Sequence, residues 1–165
     1  MDETLTLRPA IEDDRPFLYR VYASTRQGEL ERVGWSEIQK DAFLRQQFDA
    51  QDAFYRQNYP GAEFQVILHD GLPGGRLYVH RRASEIRVMD IALLPEHRGR
   101  GLGSRLMHAI LDEGRRAGLP VTIHVERFNP AQRLYARLGF RPVAGNDVYL
   151  LMEWSPSNRK DPFHA

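Results

Sequence analysis

The stretch HRGRGLGSRL, residues 97–106, holds three glycines and three arginines between an apolar run and an amphipathic one. A tight turn needs one or two glycines, so the alternation of Gly99, Gly101 and Gly103 calls for a further reason. Glycine adopts positive φ without penalty, and it also lets the backbone come close to a ligand. The stretch therefore decides between a plain α/β domain and a ligand-binding one.

A phosphate-binding loop is the functional interpretation of this stretch. It leaves a predicted strand over 85–94 and enters a predicted helix near Gly103 or Ser104. A helix N-terminus presents unpaired N–H groups and the positive end of its dipole, so it attracts anions. Arg98 and Arg100 supply charged donors for phosphate oxygens. A glycine-rich turn with solvated arginines is the structural alternative.

Two other phosphate-binding motifs fit less well. The P-loop requires G-x-x-x-x-G-K-S/T, and the lysine is missing. The dinucleotide fingerprint G-x-G-x-x-G follows its strand directly, whereas here the spacing is G-x-G-x-G and PEHR intervenes. Glu126 lies at the end of the next strand, as that fingerprint would need. A dinucleotide-binding module therefore stays a weaker alternative.

Composition limits the class of protein. The 165 residues are 42% hydrophobic and 27% charged, which predicts one globular domain over 1–155 with a flexible tail over 156–165. The net charge of +1 argues against nucleic-acid and membrane partners. There is no cysteine, hence no disulfide, thiolate metal site or cysteine nucleophile. We see neither a signal peptide nor an apolar run of about 18 residues, so we expect a cytoplasmic protein.

Periodicity predicts an α/β (α+β) fold with a mixed sheet. Helices are expected over 11–25, 35–59, 103–118 and 130–139, and strands over 4–10, 62–69, 75–81, 84–94, 119–126 and 147–154. The first part reads as an antiparallel meander, and the later strand–helix–strand order favours parallel pairing. Ser36 is the predicted cap of the long helix, whose apolar side is Ile38, Phe43, Leu44 and Phe48.

Two segments carry a family resemblance. LLPEHRGRGLGSRLM, residues 93–107, resembles the acyl-CoA site of the GCN5-related N-acetyltransferase (GNAT) family, whose signature Q/R-x-x-G-x-G/A falls on Arg98, Gly101 and Gly103. HVERFNPAQRLYARLGF, residues 124–140, resembles the segment of that family in which an Asn precedes L-Y-x-x-L-G-F. Both occur in the family's order, separated by the expected helix and strand.

The resemblance implies a fold and a co-substrate. The fold is a mixed, mostly antiparallel sheet of about six to seven strands flanked by helices, with central parallel strands that splay apart. The co-substrate is acetyl-CoA. Independently of the resemblance, no metal is expected, because HVE at 124–126 and the scattered histidines lack the spacing of metal ligands. Loop backbone would bind the pyrophosphate, a strand edge would pair with the pantetheine arm, and an asparagine would hydrogen-bond that arm. The residues in these roles are Arg98, Gly99, Arg100, Gly101, Leu102, Gly103 and Ser104 of the loop, Ile91, Ala92 and Leu93 of the strand, and Asn129.

The catalytic acid is predicted at Tyr135, where the family commonly places one. The structural alternative is a core aromatic that packs with Leu134 and Leu138. Asn129 also has a structural alternative, as the N-cap of a helix that has Pro130 in its first turn.

The general base is left open between two residues and solvent. His124 lies on a predicted strand and titrates near neutral pH, although a lone strand histidine is more often structural. Asp90 interrupts an apolar run, so it is either hydrogen-bonded structurally or an acid/base group. A chain of water molecules is the third possibility.

The acceptor is not identified by the sequence. The resemblance implies that residues 24–60 form its site, with Trp35, Gln47, Tyr55 and Tyr59 as side chains that could face the acceptor and Phe43, Phe48 and Phe54 packed inward. A small-molecule amine and a peptide or protein amine both remain open, as does a homodimer. The leading hypothesis is direct acetyl transfer to a primary amine in a ternary complex. A non-catalytic acyl-CoA-binding or sensing domain is the alternative.

Overall fold

The computed structural model describes residues 3–156 and contains one seven-stranded mixed sheet in the order β1-β2-β3-β4-β5-β7-β6. The strands are β1 (Leu5–Pro9), β2 (Glu63–His69), β3 (Leu72–Arg81), β4 (Ile86–Leu93), β5 (Val121–Glu126), β6 (Arg141–Gly145) and β7 (Tyr149–Trp154). The helices are α1 (Arg15–Ser24), α2 (Gln27–Leu30), α3 (Glu37–Asn58), α4 (Leu102–Ala117) and α5 (Gln132–Arg137), with 3-10 turns at Glu12–Asp14 and Pro95–His97. The predicted mixed α/β sheet is confirmed.

The chain divides into two compact units. Of the described residues, 3–78 and 91–100 form the first unit, and 79–90 and 101–156 form the second. The single domain over 1–155 stays a prediction. The predicted tail, 156–165, lies outside the described residues apart from Pro156.

Helix α3 of the first unit begins where its capping residue predicts. The Ser36 hydroxyl accepts a hydrogen bond from the Gln39 N–H at 3.2 Å, and the Gln39 side chain accepts one from the Ser36 N–H at 2.9 Å. Leu44 and Phe48 of α3 pack on α1 in the core of this unit. The expected apolar side was partly wrong, because Ile38 is 83% exposed.

Two further aromatic positions of this segment also differ from prediction. Phe54 is 54% exposed, and Phe43 lies near the surface with its ring 5.3 Å from that of Trp35. Phe48 is buried as expected. Leu44 and Phe48 are the only buried residues of α3, and the exposed Phe54 has its ring 6.3 Å from that of Tyr55 and 6.4 Å from that of Tyr59.

A two-residue turn joins β2 to β3. Asp70 and Gly71 have φ of 52° and 82°, the left-handed geometry that suits a tight hairpin. The sequence predicted a longer loop, over residues 70–74, and a strand that starts at Gly75. In the structure, β3 already begins at Leu72.

The second unit is built on α4 and β5. Leu106, Met107, Ile110 and Leu111 lie on the buried face of α4, at helical spacing. The helix ends at Gly118, whose φ of 69° is left-handed. Strand β5 pairs antiparallel with β7 along its whole length, from Val121–Trp154 to Glu126–Tyr149.

Three local features were not predicted. The short helix α2 has one buried apolar residue, Leu30, and a single residue cannot show the apolar periodicity by which a helix is predicted. Strand β6 is exposed throughout, and a bulge lies between Pro142 and Ala144. Helix α5 begins at Gln132, so Pro130 lies in the preceding turn and not in the first turn of the helix.

Candidate functional site

The parallel pair β4 and β5 separates part of the way along. Their ladder joins Ile86 to Val121, Arg87 to Thr122 and Val88 to Ile123. Both strands continue beyond it, β4 to Leu93 and β5 to Glu126. The splay that the resemblance implies is therefore seen within the second unit, where Met89 and Asp90 follow the last paired residue of β4.

The edge of β4 that points away from β3 can be identified within the first unit. The Leu94 N–H donates to the Gly74 carbonyl at 2.8 Å, and a Cβ built on Gly75 would lie 2.2 Å from the Ala92 carbonyl oxygen. Both groups thus face β3. Because successive residues of a strand direct their main-chain groups to opposite edges, Ile91 and Leu93 face away from β3. The main-chain groups of Ile91 and the N–H of Leu93 therefore point away from β3, the Leu93 carbonyl accepts a hydrogen bond from Arg98, and the Ala92 carbonyl points towards β3. The predicted contacts of these residues with a ligand stay predictions.

The glycine loop has the backbone that its sequence predicts. Gly99 and Gly101 adopt φ of 77° and 75°, where an L-residue with a side chain is strained. Gly103 has no such φ, because it lies in the first turn of α4. A Cβ built on any of the three meets nothing within 4 Å.

Unpaired donors accompany this open space. The first hydrogen bond of α4 runs from the Arg105 N–H to the Gly101 carbonyl at 3.0 Å. The N–H groups of Leu102, Gly103 and Ser104 therefore precede the helical ladder and have no acceptor within it. Together with the positive end of a 16-residue helix, they form a set of donors suited to an anion.

The two loop arginines are held by the first unit. The Arg98 Nε donates to the Leu93 carbonyl at 2.8 Å and its Nη2 to the Ser24 hydroxyl at 3.4 Å. The Arg100 Nη1 donates to Glu3 Oε1 at 2.9 Å. This hydrogen bond is the main reason why the pKa of the Glu3 carboxyl lies below its usual value.

Tyr135 is buried, with its ring 5.9 Å from that of Phe140. Burial raises the pKa of its phenol above the usual value, and the negative charge of Asp90 raises it further. Both residues belong to the second unit. At neutral pH the phenol is therefore a hydrogen-bond donor that keeps its proton.

His124 and Asp90 differ in exposure. His124 is exposed, and Asp90 is partly buried. Partial desolvation and the positive charge of Arg87 lower the pKa of His124, while Glu85 acts in the opposite sense. Its imidazole is consequently neutral at physiological pH, the state in which it accepts a proton.

Asn129 does not cap α5. Its Oδ1 accepts a hydrogen bond from the Ala131 N–H at 2.9 Å, which closes a local Asx turn, and Ala131 is the N-cap of the helix. The Asn129 side chain is nevertheless exposed, so its predicted contact with the pantetheine arm stays a prediction.

One polar cluster was not anticipated from spacing. His69 is 5% exposed, its Nδ1 lies 2.8 Å from His97 Nδ1, and its Nε2 lies 3.3 Å from Glu3 Oε1. Ligand atoms of Glu3, His69 and Asp70 all lie within 4.8 Å of one another. Three separate segments supply this cluster, so no local motif could have revealed it. The absence of a resident metal stays a prediction.

Among the helices between residues 3 and 156, none has both the length and the apolar character that are needed to span a bilayer.

Comparison with known proteins places this geometry in a family. The profile of the Acetyltransferase (GNAT) family matches residues 27–140. A protein of Bacillus subtilis (strain 168) named "Putative ribosomal protein bS18-alanine N-acetyltransferase" is 31% identical over 98 residues, which is 55% of this chain. The matched region spans 63% of that relative's length.

Two solved structures share the fold. The paiA N-acetyltransferase from Thermoplasma acidophilum, in complex with coenzyme A, superposes with a TM-score of 0.69 at 16% identity, over 92% of this chain and 99% of that one. The Salmonella typhimurium protein yncA, described as "a putative acetyltransferase" with its cofactor acetyl-CoA, gives a TM-score of 0.55 at 22% identity, over 98% of this chain and 99% of that one. The profile match covers well over half of the sequence, and this chain belongs to the acetyltransferase (GNAT) family.

Proposed function

We propose that the chain transfers an acetyl group from acetyl-CoA directly to a primary amine, in a ternary complex of protein, acetyl-CoA and acceptor. The observation that carries this proposal is the loop between β4 and α4, where two left-handed glycines and one helical glycine leave open space beside unpaired N–H groups. Neither positive φ nor packing requires glycine at position 103, whereas a ligand that touches the main chain there would require it.

Coenzyme A fits the donors of this region. Its pyrophosphate suits the N–H groups of Leu102, Gly103 and Ser104, and its pantetheine amides suit the main-chain groups of Ile91 and the N–H of Leu93. Arg98 acts chiefly as a positioning residue in this proposal, because its guanidinium ties the loop to the Leu93 carbonyl. Arg100 reaches a phosphate only by leaving or sharing the carboxylate of Glu3.

The proposed chemistry is one displacement. The nitrogen of the neutral amine forms a bond to the thioester carbonyl carbon, and the carbon–sulfur bond breaks with its electron pair on sulfur. The amine loses one proton to His124, to Asp90 or to water. The thiolate gains one proton, which comes from the amine through that acceptor, and Tyr135 donates a hydrogen bond to sulfur as the carbon–sulfur bond breaks. Direct transfer is favoured because the sequence holds no cysteine to carry an acetyl-enzyme.

The test is thiol release from acetyl-CoA in the presence of a panel of primary amines, with coenzyme A binding followed separately by calorimetry. Amine-dependent thiol release together with binding supports the proposal. Binding without turnover of any amine would favour the sensing domain instead. A cytoplasmic location, homodimer formation, and the choice between a small-molecule and a protein acceptor stay predictions.

A further inference from the structure

A cavity of about 630 Å³ lies within the first unit, between helices α1, α2 and α3 and the turn that follows β4. Ala23, Leu30, Leu44 and Leu94 give it an apolar part. None of its lining residues has a role in coenzyme A binding or in the chemical step proposed above. The cavity is nevertheless adjacent to the proposed pantetheine strand in the sequence, because Leu94, one of its lining residues, directly follows the last residue of β4.

The polar part of the cavity is mainly acidic. Six of the lining residues are charged, and they are Glu31, Glu37, Asp41, Glu96, Arg20 and Lys40. Acidic side chains thus outnumber basic ones in the wall by two to one.

Some of these charges are already compensated. Glu37 lies 3.3 Å from the Lys40 ammonium. Asp41 accepts a hydrogen bond from the Tyr19 hydroxyl at 2.6 Å and is paired with Arg45 at 2.8 Å. These contacts hold the α3 wall of the cavity in place.

Two carboxylates are not compensated. The side chains of Glu31, at the end of α2, and Glu96, in the turn after β4, are exposed to solvent, and no group within residues 3–156 donates a hydrogen bond to them or forms an ion pair with them. The remaining lining cation, Arg20, has its guanidinium 5.9 Å from the ring of Phe17. Two carboxylates from separate elements therefore face one cavity without a cation of their own.

We propose that this cavity binds the amine acceptor, and that the acceptor carries a second positive charge, which Glu31 and Glu96 hold. The inference rests on the proposed acetyl transfer and names the class of acceptor. A carboxylate next to the reacting nitrogen would stabilise its protonated, unreactive form. The acidic wall consequently suits an ammonium or guanidinium group that stays charged, while the reacting nitrogen lies outside it.

The experiment compares two amines that differ by one charge. Thiol release from acetyl-CoA is followed with 1,4-diaminobutane and with butylamine, for the wild type and for Glu31→Gln, Glu96→Gln and the double variant. We expect kcat/KM to favour the diamine by about tenfold, and each single variant to lower this ratio about threefold, through KM. Sodium chloride at high concentration should lower the ratio as well, because exposed charges are screened.

Glu29→Gln is the matched control. Glu29 lies in α2 but does not line the cavity, and its carboxylate is 3.5 Å from Arg26. This variant should leave the ratio of the two kcat/KM values at the wild-type level. A ratio of one in the wild type, or an undiminished ratio in the double variant, would overturn the inference while leaving acetyl transfer intact.

A binding measurement covers the case in which neither amine is acetylated. Calorimetric titration of the protein with 1,4-diaminobutane should detect binding to the wild type and weaker binding to the double variant. That result would support the acidic cavity as a diamine site even if acetyl transfer failed. Equal binding to both proteins, or binding to neither, would overturn it.

Discussion

Replacing Gly103 by alanine should stabilise the free protein and weaken its affinity for coenzyme A. Gly103 lies in the first turn of α4 without positive φ, and a Cβ built on it meets nothing within 4 Å. Alanine is better than glycine in a helix by about 0.5–1 kcal/mol, which in a protein of this size raises Tm by about 2 °C. The free protein should therefore gain stability.

The effect on binding has the opposite sign. If the pyrophosphate rests on the main chain here, the added methyl group overlaps it, and overpacking of this kind costs about 1–3 kcal/mol. That corresponds to a Kd about 5- to 150-fold higher. With coenzyme A at a hundred times the wild-type Kd, the ligand stabilises the wild type by about 2.7 kcal/mol, and a tenfold rise in Kd reduces this to about 1.4 kcal/mol.

Thermal unfolding with and without coenzyme A measures both effects, and calorimetry gives Kd directly. Gly28→Ala is the matched control, because Gly28 lies in α2, and a Cβ built there also meets open space. It should leave the Kd for coenzyme A at the wild-type value. A Gly103→Ala variant that binds coenzyme A as tightly as the wild type would refute the assignment of the loop to a phosphate.

Three further variants test other parts of the structure. Asp14→Asn should cost about 1 kcal/mol of unfolding free energy at pH 7, because Arg8 holds the pKa of Asp14 at about 2 and the pair is partly screened. Since a depressed carboxyl pKa stabilises only above it, this difference should fade from about pH 4 to pH 2 in urea titrations. Tyr135→Phe should lower kcat about 100-fold and leave the Kd for coenzyme A unchanged. Arg98→Ala should raise that Kd about tenfold, and lysine should not rescue it, because the guanidinium binds the Leu93 carbonyl rather than acting as a bare charge.

Each of these expectations has a contrary result. If the unfolding free energy lost in Asp14→Asn does not depend on pH, the ion pair with Arg8 does not stabilise the first unit. Wild-type kcat in Tyr135→Phe would remove the phenol from the chemical step. Full rescue by Arg98→Lys would show that charge at the loop matters more than its attachment to β4.

The sequence predicted best what short-range contacts determine. The start of α3 was predictable because Ser36 and Gln39 cap one another across three residues. Its buried side was not, because burial depends on α1 and β2, and Ile38 at a core-like spacing is exposed. Strand β6 escaped prediction because none of its side chains is buried, so it lacks the alternation of a half-buried strand.

The same distinction applies to the candidate site. Glycine at positions 99 and 101 predicts the left-handed backbone found there, because positive φ depends on the residue itself. The positions of the two arginine side chains could not be read from the motif. Arg100 is held by Glu3, which lies 97 residues away in the sequence. No sequence pattern relates two residues that are so far apart. A motif thus predicts which main-chain groups face a ligand better than which side chains do.

The electrostatics of the second unit constrain how Tyr135 takes part in the reaction. Burial and Asp90 raise the pKa of its phenol, while a free thiol has a pKa of about 8.5. Complete proton transfer from such a phenol to the departing thiolate is uphill, so the phenol stabilises the developing charge mainly as a hydrogen-bond donor. The proton that finally resides on sulfur is then better supplied by the amine, which becomes strongly acidic once its nitrogen bonds to carbon. His124, whose pKa is lowered, is in the right state to receive that proton. The pH dependence of kcat below pH 10 should therefore reflect the amine and its base, and ionisation of Tyr135 should leave no step in it.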